Sequence, residues 1–300
     1  MAAGHETIAA MNAVVTLDVA LPGIVWPWLV TMNMWAKSIG TGVILVGFYL
    51  FKNYSSETKD MKLPITLISF IFLSIFLLFT LADLHQPFRM INIFLHPHWS
   101  SPITYGAWIA SALMGVLTFM LYALYIKKDE ALYDKLYTWA FVLSIPVTLY
   151  TAILMGMSTG RELWQTPVEF VQMVLAATLS GSAALLLFKD KFSYELTRDL
   201  AVVLFVSVTA GFIIYMGEYI FGPGKAEEVK MTLAYVQGGE YTVMFWIGQI
   251  TAFVIPGVLT LLSVLNRTTN LLPLAAILSL AGLWIVKHVW LMIPQLLPMS

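Results

Sequence analysis

The sequence predicts an all-α integral membrane protein that crosses the bilayer about eight times. Three observations predict it. Of the 300 residues, 59% are hydrophobic and 11% charged, against about 25% charged in a typical soluble domain. Apolar runs of roughly 20 residues, enough to cross the hydrocarbon as a helix, recur along the whole chain. The segments between them are short, polar and rich in turn formers, with no room for a soluble domain.

Taken in order, the predicted spans are 24–51, 63–82, 103–126, 136–157, 168–188, 198–221, 243–265 and 271–293, within one polytopic domain covering 1–300. Charge and turn signals separate them, among them Lys52–Lys62, Lys127–Lys135, Lys189–Thr197 and Asn266–Asn270. Two longer connections, Asp83–Pro102 and Gly222–Thr242, lie on the side that carries both termini, called side A here. Side A holds four basic residues, Arg89, Arg161, Lys225 and Lys230, whereas the opposite side B holds ten. The positive-inside rule places side B in the cytoplasm. Both termini are then expected outside, which in a bacterium is the periplasmic face of the inner membrane. Residues 1–25 hold no Lys or Arg, so the N-terminus does not read as a cleaved signal peptide.

Composition narrows the chemistry. Without cysteine the protein has no disulfide, no Cys-ligated zinc and no Cys-ligated iron–sulfur cluster. A net charge of −1 without a basic stripe gives no reason to expect nucleic acid. Of five histidines, only His85 and His288 lie near spans, and His85 sits at a helix end before Pro87. Two bis-His haems are therefore impossible and one haem b is disfavoured. His96 and His98 flank Pro97 in a loop and read as surface residues, so no metal site is expected.

Ionisable groups inside hydrocarbon cost several kcal/mol and each needs an explanation. The candidates are Lys37, Asp83, His85, Glu169, Glu218, Lys287 and His288, with the amides Asn33, Gln172 and Gln249. Lys37 is the deepest, about 16 Å along its helix from Trp26. All of them fall in the side A half or near the middle. An ion channel needs polar groups through the full depth, whereas a one-sided polar pocket suits a molecule that arrives from the lipid and reacts near one surface. A quinol fits, because it has an apolar tail, two hydroxyls that need partners and two protons to release, which a carboxylate or histidine can accept. The alternative is that these groups are rim residues wetted by headgroups. Asn33 and Lys37, four residues apart, share a helix face, and Lys37 is expected to pair with a carboxylate, Asp83 foremost. Trp26 and Trp28 read as interface anchors.

The stretch Leu81-Ala-Asp-Leu-His85-Gln-Pro87-Phe-Arg89, followed by Ser101-Pro102-Ile-Thr-Tyr105-Gly106-Ala-Trp108, is distinctive. It resembles the D-L-x-x-P-x-R…S-P-x-x-x-G-x-W passage of the NrfD/PsrC family, the membrane subunits of polysulfide reductase and its relatives. Further pieces match in order: Trp26-Pro-Trp28, Tyr150 to Gly156, Trp164, Leu179 to Ala184, and Phe245-Trp246-Ile-Gly248 with Pro256. The resemblance covers nearly the whole sequence.

It implies eight helices arranged as two four-helix bundles, with a quinone pocket on the outer side and no cofactor of the protein's own. It further implies a ferredoxin-like iron–sulfur subunit docked beside the pocket, and a catalytic subunit that is a molybdopterin enzyme or a multihaem cytochrome c. On that reading the Asp83–Pro102 loop is a docking surface carrying Phe88, Phe94 and Trp99, or else an ordered cap on the bundle. The family commonly has small residues where this sequence has Lys37, so ligands are assigned by depth and chemistry. Asp83, His85 and Lys37 are expected to act on a menaquinone-type substrate, with Asn33, Tyr105, Arg89, Glu169 and Glu218 around it. The expected role is the quinone-reactive membrane anchor of a respiratory oxidoreductase used in anaerobic respiration. The rivals are a proton-coupled secondary transporter built on Lys37, Asp83 and Glu218, and a haem b subunit. Against the transporter, only Pro146 and Pro256 lie well inside spans and no internal repeat is evident.

Overall fold

The computed structural model describes residues 24–84 and 86–297, and these contain eight helices long and apolar enough to cross a membrane. They are α1 Trp28–Asn53, α2 Lys59–Asp83, α3 Pro102–Lys127, α4 Glu130–Gly156, α5 Thr166–Leu186, α6 Tyr194–Gly224, α7 Thr242–Leu265 and α8 Leu272–Leu296. Each overlaps one span expected from the sequence, and no strand occurs among the described residues.

Local chemistry starts and stops these helices. Proline stands in the first turn of α3, α5 and α8, where its missing N–H would have had no helical partner. Asp129 caps α4 by accepting from the Leu132 amide at 2.9 Å, and Ser193 caps α6 by accepting from the Leu196 amide at 3.3 Å. Lys128, in the left-handed region with φ 53°, turns the backbone between α3 and α4. In α7 the helix opens into a π turn over Ile250–Val254, just before Pro256. Proline lacks an N–H and its ring crowds the carbonyl four residues back, and a one-turn π widening absorbs that conflict.

α1 to α4 pack as one closed four-helix ring and α5 to α8 as another. α1 and α5 form the main seam between the rings, with further contact from α4 to α5 and from α1 to α8. The seam is tight because Gly42 of α1 meets Ala177 and Gly181 of α5 backbone to backbone. In lipid, where apolar burial drives helix pairing little, such close backbone approach is a main source of association. Accordingly α1 and α5 are the most enclosed of the eight helices, while α2 and α3 expose most of their length to the surroundings.

Polar ties close both ends. On side B, Lys62 pairs with Asp134 at 2.8 Å and Glu130 at 3.2 Å, and Tyr54 donates to Asp199 at 2.6 Å, joining α1 to α6. On side A, Gln295 holds both backbone groups of Trp26, accepting from its N–H at 2.8 Å and donating to its carbonyl at 3.0 Å. Arg161 donates to the Leu297 carbonyl at 2.6 Å. Trp26 is more than the interface anchor expected of it: its ring stacks on Trp164 at 5.1 Å. Trp28, 53% exposed, does fit an anchor.

Candidate functional site

Two buried polar clusters lie in the side A half, one in each bundle. The first is built on α1. Asn33 and Lys37 share a face, as their spacing requires, and both are buried. Asn33 donates through Nδ2 to the Thr80 hydroxyl of α2, and Lys37 Nζ donates to the Thr151 hydroxyl of α4. The ammonium also lies 4.9 Å from the centre of the Tyr150 ring, a cation–π distance. Gly106 in the first turn of α3 presses against that ring, where a Cβ would come within 2.7 Å. α4 therefore meets α1 at Lys37, with α2 tied to Asn33 and α3 pressed on Tyr150.

Lys37 does not pair with Asp83 as expected. Neighbouring antiparallel helices explain it. Asn33 stands opposite Thr80, so Asp83, the last residue of α2, lies near the level of Val30. Lys37 is seven residues further in, about 10 Å deeper. A hydroxyl and an aromatic face replace the carboxylate. Asp83 itself is half-buried at the side A end of α2. His85 lies outside the described residues. Tyr105 is 48% exposed and packs 5.8 Å from Trp99, and Arg89 is exposed on the short helical segment Pro87–Ile91. Both stand at the side A surface, apart from Lys37. In the same loop Phe88 is 96% exposed, whereas Phe94 rests on Trp108.

The second cluster lies among α5 to α8. Glu169 of α5 is fully buried and accepts from the Trp290 indole N–H at 3.0 Å through Oε1, while Oε2 has no protein partner. Lys287 of α8 is 3% exposed, and its ammonium approaches the Met173 sulfur at 3.6 Å. Gln172 Nε2 and both side-chain polar atoms of Gln249 are buried without protein partners. Glu218 is engaged elsewhere, accepting from Lys225 at 2.6 and 2.9 Å. The residues expected around one pocket are thus divided, with Asn33, Lys37 and Asp83 in the first bundle and Glu169 and Glu218 in the second. Met34 and Met155 line the cavity beside Glu169 and Lys287 from the seam side.

Residues 19–298 match the family described as Polysulphide reductase, NrfD. The chain belongs to the NrfD family. One relative, the C subunit of the polysulfide reductase of Wolinella succinogenes, is 26% identical over 254 residues, an alignment that spans 75% of this protein and 79% of that one. The NrfD membership accords with the eight apolar helices, which make this a multi-pass membrane protein.

Several partners of the candidate residues escaped the sequence reading. Thr151 and Tyr150 of the NrfD protein are common residue types within an apolar run, and only the packing of α4 on α1 turns them toward Lys37. Lys287, by contrast, carried a readable signal, a lysine near the end of an apolar span.

Proposed function

We propose that this protein is the quinone-reactive membrane subunit of a respiratory oxidoreductase complex. The observation that carries the reading is Lys37, a buried lysine held by Thr151 and Tyr150 in the side A half of the first bundle. A buried ion without a carboxylate partner is costly and has a use where a ligand oxygen supplies the missing acceptor. In this reading a menaquinone-type head group enters the first bundle from the lipid, with its tail left in hydrocarbon. Asn33 and Lys37 donate to its oxygens. Asp83, nearer the surface, and His85 accept the protons.

Oxidation of one quinol releases two electrons and two protons. In this reading the electrons leave on side A to a cluster held by another subunit, since the protein has no cysteine with which to ligate one of its own. An iron–sulfur subunit of ferredoxin type, seated on the Pro87–Trp99 segment with Phe88 as an exposed anchor, would receive them and pass them to a molybdopterin or multihaem catalytic subunit. The same path run backward reduces quinone. Side A is then the periplasmic side of a bacterial inner membrane, in line with the basic excess on side B. The name of the Wolinella relative, one subunit of a polysulfide reductase, supports assembly into such a complex.

Mild-detergent purification through a C-terminal tag, followed by mass spectrometry, an iron assay and quinol oxidation, tests this reading. The expected result is a cysteine-rich subunit with stoichiometric iron, whose clusters are reduced on adding a menaquinol analogue. A single iron-free protein, recovered under conditions that keep comparable complexes intact, overturns it.

A further inference from the structure

The second bundle holds more polarity than a structural role requires. Glu169 Oε2, Gln172 Nε2 and both polar atoms of Gln249 are buried with no protein partner. A buried polar atom left unpaired is costly, and the usual remedy is an internal water. Space for it exists. Glu169, Gln172, Met173, Tyr215, Lys287 and Trp290 line one cavity, and a second shares Gln172 and Tyr215 with it. Each has room for about one water molecule. On α7, Gln249 stands directly before the π turn, and Phe253 within that turn stacks on Tyr215 at 5.7 Å.

A route to the aqueous phase adjoins the cluster. Trp290, which donates to Glu169, accepts at its carbonyl from the Trp164 indole at 3.2 Å. Trp164 in turn lines two open side A cavities of about 590 and 300 Å³, which share Ser158, Thr159 and Arg161. Trp164 therefore links these side A cavities to Trp290, the donor to Glu169. Toward side B the second cavity ends among Leu175, Leu179, Leu283 and Phe253, with Ser207 as the one hydroxyl there.

We propose that Glu169 is a proton-binding site inside the second bundle, hydrated through the cavity it shares with Lys287 and Gln172 and exchanging protons with side A past the Trp164–Trp290 pair. The step is simple protonation. Hydronium gives one proton to the free Oε2, leaving a neutral carboxyl and a water, and the reverse returns it. A metal cation is a poor occupant, because Lys287 lies beside the single carboxylate and the described residues hold no group of three His, Asp or Glu that could ligate one. The charged and titratable groups facing Glu169 are Lys287 from α8 and Tyr215 from α6. Glu218, further along α6 and paired with Lys225, also acts on Glu169 through its charge, and Lys37 of α1 stands beyond Met34. The proposal stands apart from the quinone reading, since protonation of Glu169 requires no quinone.

Infrared spectroscopy on the purified complex in lipid nanodiscs, free of added quinone, tests it. The expected spectrum contains a protonated-carboxyl C=O band that grows as pH falls, shifts down within minutes in D2O, persists in Glu218→Gln and disappears in Glu169→Gln. Should Glu169→Gln fail to accumulate, Glu169→Asp serves the assignment by displacing the band. Gln172→Leu, which dries the cavity, is expected to slow the D2O shift at least tenfold. A spectrum with no band sensitive to either Glu169 substitution at any pH, or a Glu169 band that stays put after hours in D2O, overturns the proposal.

Discussion

The backbone of Gly42 in α1 lies directly against the backbone of Gly181 in α5, and this contact joins the two bundles. A Cβ on either glycine would fall onto the other's main chain, or onto Ala177. Gly42→Leu or Gly181→Val therefore pushes α1 from α5. Overpacking ordinarily costs about 1–3 kcal/mol, and here backbone rather than a flexible side chain must yield, so the loss should reach the upper end or beyond. Size-exclusion profiles and thermal melts in detergent should show loss of the monodisperse species. Gly115, around which there is open space, is the control, and Gly115→Ala should behave as wild type.

Lys37 separates stability from activity. Lys37→Met removes a buried charge that has only a hydroxyl and a ring as partners, and keeps nearly the same volume. Thermal stability should hold or rise. Quinol-driven turnover should fall by about 10- to 100-fold, the equivalent of one charge-assisted hydrogen bond of about 1.5–3 kcal/mol. Near-normal turnover would remove Lys37 from the site.

The side B clasp should respond to alkali. A hydrogen bond to Asp199, together with partial burial and the Asp199 charge, pushes the Tyr54 hydroxyl up to about 12 from its usual 10. A group whose pKa is raised by folding adds stability that is complete below the unfolded value and is lost as pH climbs through the folded one. The Tyr54 contribution should thus be intact below about pH 10 and vanish by about pH 12. Tyr54→Phe should be less stable than wild type near neutrality, and the gap between their melting temperatures should close across that window.

On side A, Arg161→Ala should leave the Leu297 carbonyl without its donor and loosen the end of α8. A loss of roughly 1–3 kcal/mol is expected for a buried acceptor stripped of its partner. Hydrogen exchange should report it as faster exchange confined to the end of α8 and the Trp26–Gln295 contact, with the side B ends of the helices unchanged.

Much of the architecture is legible in the sequence because the bilayer reduces it to a length problem. Twenty apolar residues followed by Lys-rich or Pro/Asn-rich breaks admit only a spanning helix, so each of the eight helices overlaps a span read from the sequence, although α4 begins at Glu130, six residues before the expected start at 136. Ordered motifs such as Asp83 to Arg89 and Ser101 to Trp108 carried the NrfD family. The depth of a residue is readable too, by counting from a helix end, and it placed the buried polar groups in the side A half.

The sequence by itself determined the span count, the absence of a cysteine-bound cluster and the depth of each candidate along its own helix. Only the tertiary structure decided which helices meet. It gave Lys37 to Thr151 and Tyr150 rather than Asp83, set Glu169 beside Trp290 and Lys287 in the other bundle, and left Arg89 and Tyr105 at the surface. The physical reason is that a helix fixes axial position at 1.5 Å per residue and leaves its rotation and its neighbours to packing. In this protein that packing turns on small residues, Gly42 against Gly181 and Gly282 against Ala252. Glycine in an apolar run is common, and nothing in its one-dimensional context says which backbone will lie against it.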